Sequence, residues 1–152
     1  MRQKDECRLF LESYRELRTE ESRLWQRHQR LLSQATRITA QIRDMPGGGD
    51  ADKEKLLAAL ADEDGEALAK HAEAESRRRE IEEFINTLPT PVCRIILRYR
   101  YVECLPWTRV IFALRQGGIY YEERQIYRLH GNALKEARKV WRARKDAAKE
   151  NG

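Results

Sequence analysis

A 3-4 spacing of seam positions runs unbroken from Cys7 to Ala35, through Phe10, Tyr14, Leu17, Glu21, Leu24, His28 and Leu31. No glycine or proline falls within it, and Glu and Arg fill the other positions, so one long helix is predicted. Glu21 and His28 interrupt the apolar seam, and His28 reads as a partly buried seam histidine rather than a ligand. Trp25, beside Leu24, is expected to pack on a partner helix. A second stripe uses Leu57, Leu60, Asp64, Ala67, His71, Ala74, Arg78, Ile81, Ile85 and Leu88, with Asp52 as the expected helix cap. Its polar, alanine-rich middle gains little stability in isolation. The second helix is therefore expected to fold back on the first as a coiled-coil-like antiparallel hairpin over 1–88, or to pair with a second chain as a homodimer. The connector is a glycine-rich linker over 44–52, where Pro46 stops the helix and Gly47-Gly48-Gly49 frees the backbone. It lacks the Gly-Lys-Ser/Thr ending of a phosphate loop.

With 41% apolar and 36% charged residues, the chain suits thin helical layers better than a thick α/β globule. An all-α fold is predicted. No apolar run of about 18 residues is present, and the first residues lack the apolar segment of a secretory signal, so a cytoplasmic protein without membrane contact is expected. Cys7, Cys93 and Cys104 are odd in number and widely spaced, which favours small apolar packing over a zinc site. No metal and no cofactor is expected. No paired carboxylates, Ser-His-Asp set or activated cysteine share a segment, so no catalytic residue is assigned and the chain is read as a non-enzyme. His130, the most tempting catalytic candidate, is read as a packed histidine hydrogen-bonded to backbone.

The final third differs in charge. Residues 1–88 carry 16 Lys/Arg against 19 Asp/Glu, a net of −3, while residues 89–152 carry 14 against 6, a net of +8. Such a concentration is the electrostatic footprint of a nucleic-acid binder. Thr90-Pro91 opens a short helix with Ile95, Ile96, Tyr99 and Val102 on its apolar face. Leu105-Pro106 opens a second, with Trp107, Val110, Ile111 and Leu114 inward, closed by Gln116-Gly117-Gly118. A third comes next, with Ile126, Leu129, His130, Ala133, Leu134 and Ala137 inward. Residues 89–142 are thus predicted to be a three-helix helix-turn-helix module, with a basic, frayed tail over 143–152. Its opposite face supplies base-facing candidates for duplex DNA: Arg124, Gln125, Tyr127, Arg128 and Asn132. Arg forks onto guanine, and Gln or Asn onto adenine. Arg109, Arg115, Lys135, Arg138 and Arg142 are the phosphate-contact candidates. Glu122 and Glu123 complement the helix dipole.

Leu97-x-x-Arg100-Tyr101-Val102, Trp107-x-x-Val110 and His130-x-x-Ala133-Leu134 resemble the promoter-reading region four of bacterial sigma factors. Nearly end to end, the chain is also similar to a family of small phage and prophage proteins, through Ala35-Thr36-Arg37-Ile38-Thr39 and Met45-Pro46-Gly47-Gly48. Two features depart from the sigma pattern: Ile111 stands where a small residue is preferred, and the turn from Leu114 to Ile126 is longer. The resemblance implies a transcription-related role in the bacterial host cytoplasm or nucleoid, with double-stranded DNA and host RNA polymerase as partners. The chain lacks the core-binding and −10-reading parts of a full sigma factor, which points to an accessory activator. A DNA-packaging recognition subunit and a protein-interaction module that binds polymerase are the alternatives.

Overall fold

The computed structural model describes residues 5–43 and 50–151. The described residues form α1 (Glu6–Arg43), α2 (Asp50–Asn86), α3 (Pro91–Leu97), a π-helical turn (Arg98–Val102), α4 (Trp107–Gln116) and α5 (Glu123–Glu150). No strand occurs among them, and the expected all-α class is observed. No described helix is long and apolar enough to cross a membrane. Met45-Pro46-Gly47-Gly48 and most of the glycine-rich linker fall outside the described residues. Asp52 lies inside α2, which is already under way at Asp50, rather than before it.

The chain divides into two compact units, and their boundary is not the expected one at residue 88. Glu16–Glu75 is one unit; residues up to Arg15 join those from Ser76 onward in the other. Side-chain size explains the cut. The large apolar side chains of the first two helices that are buried lie at the start of α1, Leu11 and Tyr14 beside the smaller Cys7, and at the end of α2, Ile81, Phe84 and Ile85, with Leu88 just beyond it. Between these groups, among the described residues of α2, only Ala67 and Ala74 are buried.

Within Glu16–Glu75 the seam positions Leu17, Glu21, Leu24, His28, Leu31 and Ala35 are all half-buried. On α2 the inward register is Leu56, Leu60, Glu63, Ala67, Lys70 and Ala74. It matches the predicted stripe at Leu60, Ala67 and Ala74 and differs by one residue elsewhere, so Leu57 is 56% exposed. The displaced positions have a use at the edge of the seam. His71 Nδ1 lies 2.6 Å from Glu21 Oε1, and Asp64 Oδ1 lies 3.4 Å from His28 Nε2. Lys70 adds a bridge to Glu20 at 3.0 Å. These partners descend along α2 as they ascend along α1, so the two helices run in opposite directions within this unit. The polar residues that interrupt the first stripe thus meet complementary residues on the second. Trp25 stands edge-on to His28, with ring centroids 5.9 Å apart.

The other unit has a true core. Ile96, Val110, Leu114 and Ile126 form its buried centre, with Val92, Tyr99, Leu105, Trp107, Ile111, Ile119, Tyr121 and Leu129 packed around it. Phe10, Phe84 and Trp141 make an aromatic cluster with centroids 5.0 to 5.8 Å apart. Burial pushes the Cys7 and Cys93 thiols up to about 11, so both stay protonated and behave as small apolar side chains.

Pro91 occupies the first turn of α3, where its missing N–H costs nothing, and Thr90 precedes it as predicted. The Thr90 hydroxyl does not cap the helix; the Thr90 N–H instead donates to Glu136 Oε1 at 2.8 Å. The π-helical turn, closed by Glu103 N–H to Arg98 O at 3.0 Å, inserts one residue and so rotates the positions after Leu97 about the helix axis. The inward residues Cys93, Ile96, Leu97 and Tyr101 keep ordinary helical spacing, and the inserted residue turns Val102 in beside them; Ile95, predicted to face in, lies on the opposite side and is 36% exposed. Cys104 then takes a left-handed conformation at φ 55°, costly for a residue with a side chain, and the chain reverses so that Leu105 N–H reaches Tyr99 O at 3.0 Å.

Candidate nucleic-acid interface

A Schellman motif ends α4. Gly118 sits at φ 85°, its N–H donates to Arg115 O at 3.0 Å, and Ile119 N–H donates to Leu114 O at 2.8 Å. Only glycine takes that backbone conformation without strain, and Ile119 is thereby folded onto the same core as Leu114. A reciprocal box opens α5: the Glu122 side chain accepts the N–H of Gln125, and the Gln125 side chain accepts the N–H of Glu122 at 3.0 Å. Two helices with defined ends, joined by residues 117–122, therefore fix the start of α5.

On the inner side of α5, Ile126, Ala133, Leu134 and Ala137 are buried and Leu129 and His130 half-buried, as the spacing predicts. On the outer side Arg124, Arg128, Asn132 and Lys135 are exposed, and none has a hydrogen bond or ion pair among the described residues. Their free donors match the needs of base edges and phosphates. Two other base-facing candidates are engaged. The Gln125 carbonyl belongs to the cap, so its amide is not a free fork for adenine. The Tyr127 hydroxyl donates to Glu123 Oε1 at 3.0 Å, which holds the phenol above its ordinary range.

Of the phosphate candidates, Arg109 and Arg115 are exposed on α4, and Arg142 is exposed on α5. Arg138 is not free: its Nε donates to Asp5 Oδ2 at 2.7 Å. Glu6 likewise pairs with Lys145. The acidic start of α1 thus neutralises two cations of α5, a contact between residues too far apart in sequence for spacing to reveal. α5 extends past residue 143 to Glu150.

Several of the residues quoted for the resemblance are buried or touch one another. Leu97, Val110, Ala133 and Leu134 are buried. The Arg100 guanidinium lies 4.8 Å from the Trp107 ring centroid and donates to Leu105 O at 3.0 Å. Trp107 meets His130 edge-on at 4.7 Å and Tyr127 at 5.4 Å. His130 shares a hydrogen bond with the Tyr101 hydroxyl at 2.9 Å, so the expected backbone partner is replaced by a side chain. Burial, reinforced by the nearby Arg8 and Arg100 charges, lowers His130 to about 4. A neutral imidazole at physiological pH braces α5 against α4 and the π-helical turn.

Comparison of the chain with protein-family models, curated proteins and solved structures gave no match.

The Glu122–Gln125 cap had a sequence signal, an acceptor succeeded three residues later by Gln before an apolar stripe. The Arg100–Trp107 stack had none beyond the motif itself.

Proposed function

We propose that this chain is a phage-encoded DNA-binding transcriptional regulator, a non-enzymatic accessory activator. In this reading α4, the 117–122 turn and α5 act as a sigma-region-four-like helix-turn-helix, and the paired helices of 16–75 form a hairpin that dimerises or meets host RNA polymerase. The observation that carries the proposal is the outer face of α5, where Arg124 and Arg128 on the first two turns after a capped helix start, and Asn132 and Lys135 further along, are exposed and unpartnered among the described residues. Exposed cations are ordinarily solvated; here Arg124 and Arg128 sit on the early turns that a recognition helix lays in the major groove. The net charge of +8 over residues 89–152 supplies the long-range attraction to DNA.

Gel shifts against a selected duplex pool test it. Sequence-selective binding is expected, with Arg124→Ala and Arg128→Ala each losing about 1–3 kcal/mol and relaxing the preference at one position. Equal binding to every duplex, insensitive to both changes, defeats the claim of sequence reading.

A further inference from the structure

Gly131 lies on the outer face of α5, between Arg128 and Lys135 along the helix and within about 60° of both in rotation. A glycine inside a helix is less stable than alanine there, so a structural reason for it is expected. None is found among the described residues: a Cβ built on Gly131 meets no atom of theirs within 4 Å. No described helix needs the space that the missing side chain leaves. The same face stays cationic far beyond the first turns. Arg124, Arg128, Lys135, Lys139, Arg142 and Lys149 all project within about 60° of one direction at 100° per residue. None of the six is paired among the described residues.

Resting on the DNA-reading proposal, we infer that α5 lies lengthwise against duplex DNA, with Gly131 as the point where the helix backbone comes closest to it. A helix inserted end-on needs cations only in its first turns. From Arg124 to Lys149 α5 rises about 37 Å. That exceeds one helical turn of DNA, about 34–36 Å, over which the groove winds away from a straight rod. The distal half therefore leaves the groove and crosses its bordering phosphates, which Lys139, Arg142 and Lys149 contact. Gly131 sits between the reading end and the phosphate end, where a bare backbone lets the helix seat deeply.

The test pairs stability with binding on a 30-base-pair duplex, selected and random, by fluorescence anisotropy over a salt series. Gly131→Ala is expected to raise the thermal midpoint yet weaken duplex binding, and Gly131→Leu to weaken it further, by about tenfold or more. Lys139→Ala with Arg142→Ala is expected to lower the slope of log K against log salt by about 1.8, at about 0.9 per phosphate, with sequence preference unchanged. Wild-type affinity in both Gly131 variants overturns the close approach. An unchanged salt slope, with Arg124→Ala still damaging, overturns the lengthwise docking and leaves the DNA-reading proposal standing. A wild-type protein that binds no duplex at low salt, or only single-stranded RNA, overturns both.

Discussion

In Glu16–Glu75 the helices meet through half-buried leucines, small alanines and histidine–carboxylate pairs at 2.6 and 3.4 Å. Around α3, α4 and α5, Ile96, Val110, Leu114 and Ile126 are almost entirely withdrawn from water. Both regions are written with the same 3-4 spacing. The difference lies in side-chain volume at the inward positions, and with it in the dominant force. A thin seam leaves its apolar groups partly wet and relies on register-setting polar pairs worth little each. A three-sided core removes whole side chains from water, at about 25 cal/mol per Å².

The largest expected contrast is a cavity pair. Ile96→Ala should cost about 2–5 kcal/mol, and Leu24→Ala, at a half-buried seam position, less than half as much, both read by urea denaturation. Equal losses would erase the distinction between core and seam. Second in size is the brace inside the core: Tyr101→Phe should cost about 1–2 kcal/mol by leaving His130 without its partner. A neutral result would mean that ring packing alone holds α5.

The third test is pH. Because folding lowers His130 to about 4 from an ordinary value near 6.5, the unfolded chain binds more protons between those values. Its contribution is therefore fully present above about pH 6.5, declines as pH falls towards about 4, and changes no further below. Denaturation midpoints measured from pH 7 to 5 should fall less in His130→Gln than in the native chain; identical slopes would show that the imidazole is not desolvated. The smallest effect is expected in the seam. Glu21→Gln should change stability by about 0.2–1 kcal/mol and lose even that in high salt. A larger, salt-resistant loss would make the seam's polar pairs structural in the way the core is.

The mistakes of spacing have identifiable causes. On α2, Leu56 and Leu57 are adjacent leucines in an alanine-rich stretch, and a 3.6-residue period alone cannot choose between two registers one residue apart. The choice was made by cross-helix partners, Glu21 for His71 and His28 for Asp64. In α3 apolar residues lie on two faces, Ile95 with Tyr99 and Cys93 with Ile96 and Leu97, and spacing alone put Ile95 in although the second set is buried; the residue inserted after Leu97 then turns Val102 inward. On α5 the regular period holds from Ile126 to Ala137, and its inner face was legible in full. Its outer face was legible as residue types but not as availability: Gln125 is taken by the cap and Arg138 by Asp5.

By itself the sequence determined the helical class, the breaks at Pro91, Pro106 and Gly117-Gly118, and the basic outer side of the last helix. These arise from periodicity, the missing proline donor and the freedom of glycine, all properties of a few neighbouring residues. Tertiary structure decided the register of α2, the addition of residues 5–15 and 76–88 to the C-terminal core, and which cations of α5 remain free. Each depends on partners far apart in the chain, brought together because burial of the large side chains outweighs any local preference.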